Sequence, residues 1–307
     1  MTAALRIGTR GSPLALAQAY EVKALWERSQ GSDSGAEIVE IKTTGDQVLD
    51  RPLAEIGGKG LFTRELDTAL IDGRIDIAVH SMKDVPTFLP AEIALTAMLP
   101  REDVRDCWLS AGGVDFTALP AGAKVGTCSL RRKAQILHRR PDLDVVDLRG
   151  NIQTRMKKLD SGEFAATMLA MAGLNRMGIA YPGMAPMDPS WMVPAAGQAA
   201  IGITARTTDG PIIEALSALD DAKTSICVHC ERALLAALDG SCRTPIGAHA
   251  TLDAHNYVQL TAVLASPDGK IVHRQEDKAN SGDHKAMGQA LGYALKRVAG
   301  PNFLAHW

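Results

Sequence analysis

A chain of 307 residues, 46% hydrophobic and 22% charged, is long enough for two or three globular domains, each with its own core. Its formal charge is only −2 and aromatics make up 4%, which argues against a base-stacking nucleic-acid platform. No uncharged apolar run is long enough to span a bilayer, no basic head with an apolar stretch opens the chain, and five cysteines, an odd number, read as reduced thiols in the cytoplasm.

Leu5 to Gly8 reads as a short strand. Thr9 to Pro13 is a turn that starts a helix, with Ser12 as its cap and Pro13 at the first helical position, where a missing N–H costs nothing. Leu14, Ala17, Val22, Leu25 and Trp26 give that helix its apolar face. Glu37 to Thr43 alternates as a strand. Gly57 to Gly60 is a loop carrying Lys59; it lacks the Lys-Ser/Thr ending of a phosphate loop, so it reads as a hinge or lid. A helix follows over about Leu61 to Asp72, then a buried-type strand, Ile75 to Val79, with His80 to Pro86 just beyond its end. With a further strand at Glu92 to Met98, the order β-α-β-α-β predicts a parallel sheet with helices on both faces.

Pro100 to Asp106 is polar and suits a domain crossing. Beyond it, Lys124 to Gly126 (strand), Thr127 to Ser129 (turn) and Leu130 to Arg140 (helix) form one unit. Val145 to Leu148, Arg149 to Asn151 and Ile152 to Leu159 repeat the layout. Thr127 or Ser129 would cap the first of these helices, leaving free N–H groups at a positive dipole end. From Lys124 to Arg176 there are eleven cations against five anions, a net +6 within a chain that totals −2. Charge placed so unevenly implies an anionic partner for one region, and arginines at the turns supply fork-shaped donors for carboxylate or phosphate. A strand at Phe164 to Leu169, a helix at Ala170 to Met177 and an irregular loop from Tyr181 to Pro194 complete this part. Ala195 to Ala205 is consistent with a strand returning to the first sheet, and a helix spans about Pro211 to Leu219. The last part reads as a helix (Ala222 to Leu238), three strands near Ile246 to Leu252, Val258 to Ala265 and Lys270 to Lys278, and a helix from Gly282 to Val298. Pro267-Asp268-Gly269 is the hairpin turn. No apolar helix face is left unclaimed, which favours a monomer.

Several residues carry candidate chemistry. Asp84, at the carboxyl end of a buried strand, either stays ionised to stabilise a cation or shuttle protons, or serves as a turn residue. Cys242 lies in a Gly-Ser-Cys-Arg-Thr-Pro loop beside Arg243: a nucleophilic or modified thiol, or a small hydrophobe. Cys227 and Cys230 form a CxxC inside a predicted helix with no second CxxC, which favours packing over redox or zinc chemistry. Cys128 reads as a small residue in a tight loop and His80 as a hydrogen-bonded structural histidine.

Six stretches together carry a resemblance: RIGTRGSPLALAQ (Arg6 to Gln18), GGKGLFTREL (Gly57 to Leu66), DIAVHSMKDVP (Asp76 to Pro86), GTCSLRR (Gly126 to Arg132), LRGNIQTR (Leu148 to Arg155) and GSCRTPIGAHA (Gly240 to Ala250). In this order they resemble the porphobilinogen deaminase (hydroxymethylbilane synthase) family over nearly the whole chain. The resemblance implies an α/β fold. Two doubly wound domains like type II periplasmic binding proteins would cover 1–99 with 200–218, and 100–199. A small α+β domain with a three-stranded antiparallel sheet would cover 219–307. It also implies a dipyrromethane primer joined through a thioether to Cys242, four porphobilinogens added with loss of ammonia, and hydrolytic release of a linear tetrapyrrole. By the same resemblance Asp84 is the catalytic carboxylate. Ser81, Lys83, Thr127, Ser129, Arg131, Arg132, Arg149, Gly150, Arg155 and Arg176 hold primer and product, and Arg10, Ser12, Gln18 and Lys59 meet the incoming unit, with no metal. The family's usual Gly-Gly-Cys-Gln-Val-Pro loop is altered here at Ser241, Arg243 and Thr244. Ala199 stands where glycine is usual, and Cys128 where serine is common. The competing readings are a non-catalytic two-lobed polycarboxylate-binding protein, against which Cys242 and the lack of an export signal speak, and a nucleic-acid binder.

Overall fold

The computed structural model describes residues 4–31, 35–47, 60–238, 244–301 and 303. The chain divides into two compact units, 1–102 with 199–225, and 103–198 with 226–307.

The first unit is built on a five-stranded sheet in the order β2-β1-β3-β10-β4. Its strands are β1 (Leu5–Thr9), β2 (Ala36–Glu40), β3 (Ile77–Ser81), β4 (Ile93–Met98) and, late in the chain, β10 (Ile201–Arg206). Helix α1 (Pro13–Gln30) begins as its sequence dictates: Ser12 Oγ accepts the Ala15 N–H at 3.4 Å and Pro13 occupies the first turn. Ala15, Ala19, Val22 and Trp26 recur at helical spacing and are buried. Ala19, Val22 and Trp26 pack with Ile7, Ile77, Val79, Ile201 and Ile203 on one face of the sheet. On the other face Leu66 and Leu70 of α3 (Arg64–Ile71) meet Ile75, Ala78 and Ile93; α2 is the short turn Thr44–Gln47. A fully buried aliphatic side chain contributes roughly 1.5–3 kcal/mol, so the two faces anchor the sheet from both sides.

The sheet is not wholly parallel. β1 runs parallel to β2 and β3, whereas β10 is antiparallel to both β3 and β4. Ile201 pairs with Ser81, so the returning strand enters beside the carboxyl end of β3 and runs backwards. An apolar run has no direction written in it; the point of re-entry sets it.

The second unit holds two sheets with separate cores. The five-stranded one has the order β7-β6-β8-β5-β9, from β5 (Asp106–Ser110), β6 (Lys124–Gly126), β7 (Asp144–Val146), β8 (Ala166–Ala170) and β9 (Ala185–Pro186). β6 is parallel to β7 and β8, and β5 is antiparallel to β8 and β9. Its helices are α4 (Leu130–Arg139), α5 (Ile152–Asp160) and α6 (Met171–Arg176); α7 (Gly210–Ser217) belongs to the first unit. The three-stranded antiparallel sheet, β11 (Ile246–Leu252), β12 (Tyr257–Ala265) and β13 (Val272–Asn280), packs on α8 (Ala222–Ala237) and α9 (His284–Ala299). Cys227 and Cys230 lie inside this core, as packing residues. Gly269, with φ of 71°, lets the β12–β13 hairpin press on α4: an added Cβ would stand 2.5 Å from the Ala134 carbonyl oxygen. Buried Glu231 of α8 accepts the Gly197 N–H at 2.7 Å and the Ala250 N–H at 2.8 Å, tying the loop before β10 to β11. Among the described residues no helix is long and apolar enough to cross a membrane.

Candidate active site

In the first unit the candidate residues gather around the ends of β1 and β3. Past Ser81 the chain makes a single 3-10 turn, Met82–Asp84. Met82 is buried and its N–H donates to the Ala200 carbonyl at 3.0 Å, which fixes the turn against the strand that returns. Gly202 makes room for it: a Cβ there would lie 2.1 Å from the Met82 sulfur. With Met82 inward, Lys83 is exposed and Asp84 half-buried. Ser81 Oγ and the buried Gln18 amide of α1 hydrogen-bond at 2.9–3.0 Å. Ser12 caps α1, and the Arg10 guanidinium lies 4.1 Å from the centre of the Phe62 ring. His80 is buried, with Nε2 3.1 Å from Thr204 Oγ1. Burial, with the Arg10 charge adding, lowers its pKa to about 4, so at neutral pH it is an uncharged structural residue.

In the second unit the two strand–turn–helix repeats stand side by side, because β6 and β7 are parallel neighbours and the Thr127 N–H donates to the Val146 carbonyl at 2.8 Å. Thr127 Oγ1 accepts from Ser129 N–H at 3.1 Å, and Ser129 Oγ caps α4 by accepting from Arg132 N–H at 3.4 Å. Asn151 caps α5 through Thr154 N–H at 2.9 Å. Gly150 has φ of 117°, and a Cβ there would strike Thr154 at 2.7 Å, so this turn needs glycine. The Gly150 carbonyl accepts from Arg155 Nε at 2.8 Å. Arg149 is half-buried and its Nη1 is buried with no hydrogen-bond partner among the described residues. Such a donor costs roughly 1–3 kcal/mol unless an acceptor arrives. Cys128 sits in the field of Arg149 and Arg155, yet burial, with Asp147 adding, raises its pKa, so it is a poor nucleophile. Arg176 ends α6, directly after β8, and is half-buried.

Arg131 and Arg132 are both buried, and both turn to one carboxylate. Arg131 donates to Asp106 Oδ2 at 2.6 Å and Oδ1 at 3.2 Å, and Arg132 to Oδ1 at 2.9 and 2.6 Å. Burial pushes the Asp106 carboxyl up, but the two guanidiniums outweigh it and hold the group well below the ordinary carboxylate range. In sequence Asp106 reads as the end of a polar crossing. The signal was there: an acid opening the apolar run Cys107-Trp108-Leu109 enters a core only with a cationic partner.

The structure thus groups Ser12, Gln18, Ser81, Lys83 and Asp84 within one unit, and Thr127, Ser129, Arg131, Arg132, Arg149, Gly150 and Arg155 within the other. Lys59 and Cys242 lie outside the described residues.

Fold and side chains together define an α/β protein whose second unit carries guanidiniums and capped helix starts suited to carboxylates. The family model described as "Porphobilinogen deaminase, dipyromethane cofactor binding domain" matches residues 5–214, and "Porphobilinogen deaminase, C-terminal domain" matches residues 225–297. "Porphobilinogen deaminase, chloroplastic" of Oryza sativa subsp. japonica is 50% identical over 97% of this chain and 85% of that protein. "Porphobilinogen deaminase" of Paracoccus denitrificans (strain Pd 1222) is 49% identical over 97% and 96%. Among solved structures, the chain is similar to the periplasmic aliphatic sulphonate binding protein SsuA from Escherichia coli, with a TM-score of 0.41 at 16% identity over 77% of this chain and 70% of that one. The GluR0 ligand binding core in complex with L-glutamate gives 0.42 at 14% identity over 71% and 90%. The chain belongs to the porphobilinogen deaminase family.

Proposed function

We propose that this chain is a transferase of tetrapyrrole synthesis. It condenses four porphobilinogen molecules head to tail, with loss of ammonia, onto a dipyrromethane joined to Cys242 through a thioether, and releases hydroxymethylbilane by hydrolysis. Family membership supports the reaction. The observation that carries the site is Arg149 Nη1, buried and lacking an acceptor among the described residues, beside two capped helix starts. Each pyrrole unit bears an acetate and a propionate, so a carboxylate at that nitrogen would complete its hydrogen bonding. The residues fit the group.

When bound, dipyrromethane supplies the acceptor carbon to which the first substrate is joined. Arg149, Arg155, Arg131, Arg132 and Arg176, with Lys83, Ser81, Thr127, Ser129 and the Gly150 turn, would hold its carboxylates and those of the product. Guanidinium forks suit this better than ammonium groups because they meet both oxygens at once. Arg10, Ser12, Gln18 and Lys59 orient the incoming porphobilinogen. Asp84 accepts from pyrrole N–H groups and stabilises the positive charge that develops as ammonia leaves, a service that depends on its negative charge. The reading includes a monomer acting in the cytoplasm, with no nucleic-acid or membrane partner. It also includes three domains, 1–99 with 200–218, 100–199 and 219–307; the two separate cores of the second unit support the last boundary. Intact-protein mass spectrometry tests it: the active chain should weigh more than its sequence by two pyrrole units, and Cys242→Ala should restore the bare mass and abolish turnover. An active enzyme at the bare sequence mass would refute the covalent primer.

A further inference from the structure

We propose that Asp106 is a positioning residue of the anion site: its carboxylate locks the Arg131–Arg132 pair, and Gln198 locks the carboxylate. For the ligand's identity this rests on the porphobilinogen reading above. Two guanidiniums on consecutive residues of one helical turn repel each other, and at 6% and 5% exposure there is little water to screen them. Asp106, fully buried at the start of β5, accepts from both. Backbone carbonyls hold the forks too: Arg131 Nη1, which already donates to Asp106, also donates to the Val193 carbonyl, and Arg132 Nη1 donates to the Met168 carbonyl, each at 2.8 Å. Neither fork can turn without breaking several hydrogen bonds. Two cations and one anion leave the cluster at +1, so the pair is rigid yet still attracts a carboxylate. A second acid in its place would have cancelled the charge, and none would have left the arginines splayed.

Gln198 makes this arrangement part of a larger frame. Its Nε2 donates to Asp106 Oδ1 at 3.2 Å and to the Val104 carbonyl at 2.7 Å. Val104 and Gln198 lie within two residues of points where the chain passes from one unit to the other. One amide therefore clamps two passing segments and the carboxylate that orients the arginines.

The test compares full-length wild type, Asp106→Asn, Gln198→Met and a core control, Leu174→Ala, each read for melting temperature, primer mass on Cys242, and KM and kcat for porphobilinogen. Asp106→Asn should carry less primer and raise KM about tenfold, the size expected when a charge-assisted hydrogen bond to the ligand is weakened. Gln198→Met should raise KM severalfold with kcat little changed. The control should melt lower but keep its primer and wild-type KM. If Asp106→Asn and the control lose primer and affinity alike, Asp106 is a structural residue and the proposal is overturned. Should Asp106→Asn not fold, Gln198→Met decides: an unchanged KM overturns the proposal. A wild type lacking both primer and turnover refutes the functional reading as well, an outcome distinct from failure of the variants alone.

Discussion

At the scale of single residues, several candidate side chains stand where short-range rules put them. Asp84 projects from a one-turn helix because Met82 is drawn into the core beside Gly202, leaving the next two residues outward. If its charge supports the departure of ammonia, Asp84→Asn should lose at least about 100-fold in kcat, the usual scale for one electrostatic contact in an active site. Its melting temperature should stay near wild type. Steady-state turnover beside a thermal melt checks this, and near-normal kcat would remove Asp84 from the role. Arg131 and Arg132 show the limit of residue-level reading. Their place in the first turn of a helix was legible from Thr127-Cys-Ser129, but their common partner is 25 and 26 positions away in sequence, outside the segment whose net +6 drew attention to them. Two of the anions already counted in that +6 pair at the surface within the segment, Asp142 with Arg140 at 2.7 Å and Glu163 with Lys158 at 3.2 Å, and such pairs contribute little to stability.

At the scale of elements, caps and periodicity were reliable guides. Ser12 and Pro13 begin α1, Ser129 begins α4, β6 falls on the short strand read at Lys124 to Gly126, and β11 on the residues that alternation assigns to it. Ser129, not Thr127, accepts from the helix, because Ser129 is the extended residue immediately before Leu130; Thr127 Oγ1 accepts the Ser129 N–H instead. The entry to β10 is the exception. Ala199 adopts φ of 74°, a left-handed conformation that crowds its Cβ, at the position where glycine is usual in the family. Ala199→Gly should therefore raise stability by up to about 1 kcal/mol, the strain relieved exceeding the extra chain entropy of glycine. Urea unfolding at constant m-value measures it; a lower midpoint would mean that the methyl group's packing outweighs the strain.

At the scale of the whole molecule, buried titratable groups shape the response to pH. Asp67 of α3 has its pKa pushed up to about 6 by burial, with the Glu65 charge adding. Between its ordinary 3.8 and about 6 the folded chain holds a proton that the unfolded chain has released, so its contribution to stability falls as pH rises through that window. His80, lowered from 6.5 to about 4, acts in the opposite sense: there the unfolded chain takes up the proton, and stability falls as pH drops. The two trends offset each other over nearly the same range. Asp67→Asn should thus melt above the parent at pH 7, converge with it near pH 4, and leave a profile that rises from pH 4 to 6.5. Thermal melts across that range decide it, and a constant difference at all pH values would assign the effect to packing. The composition, the βα alternation, the capped arginine turns and the HSMKDVP and LRGN stretches are properties of neighbouring residues, and the sequence alone determined the α/β class, the family resemblance and the order of the main elements apart from β5 and β9. Only the tertiary structure decided that β10 runs antiparallel, that Asp106 answers two arginines, and that Gln198 clamps it. Those depend on which distant segments meet, and a buried charge finds its partner through the fold, not through the spacing along the chain.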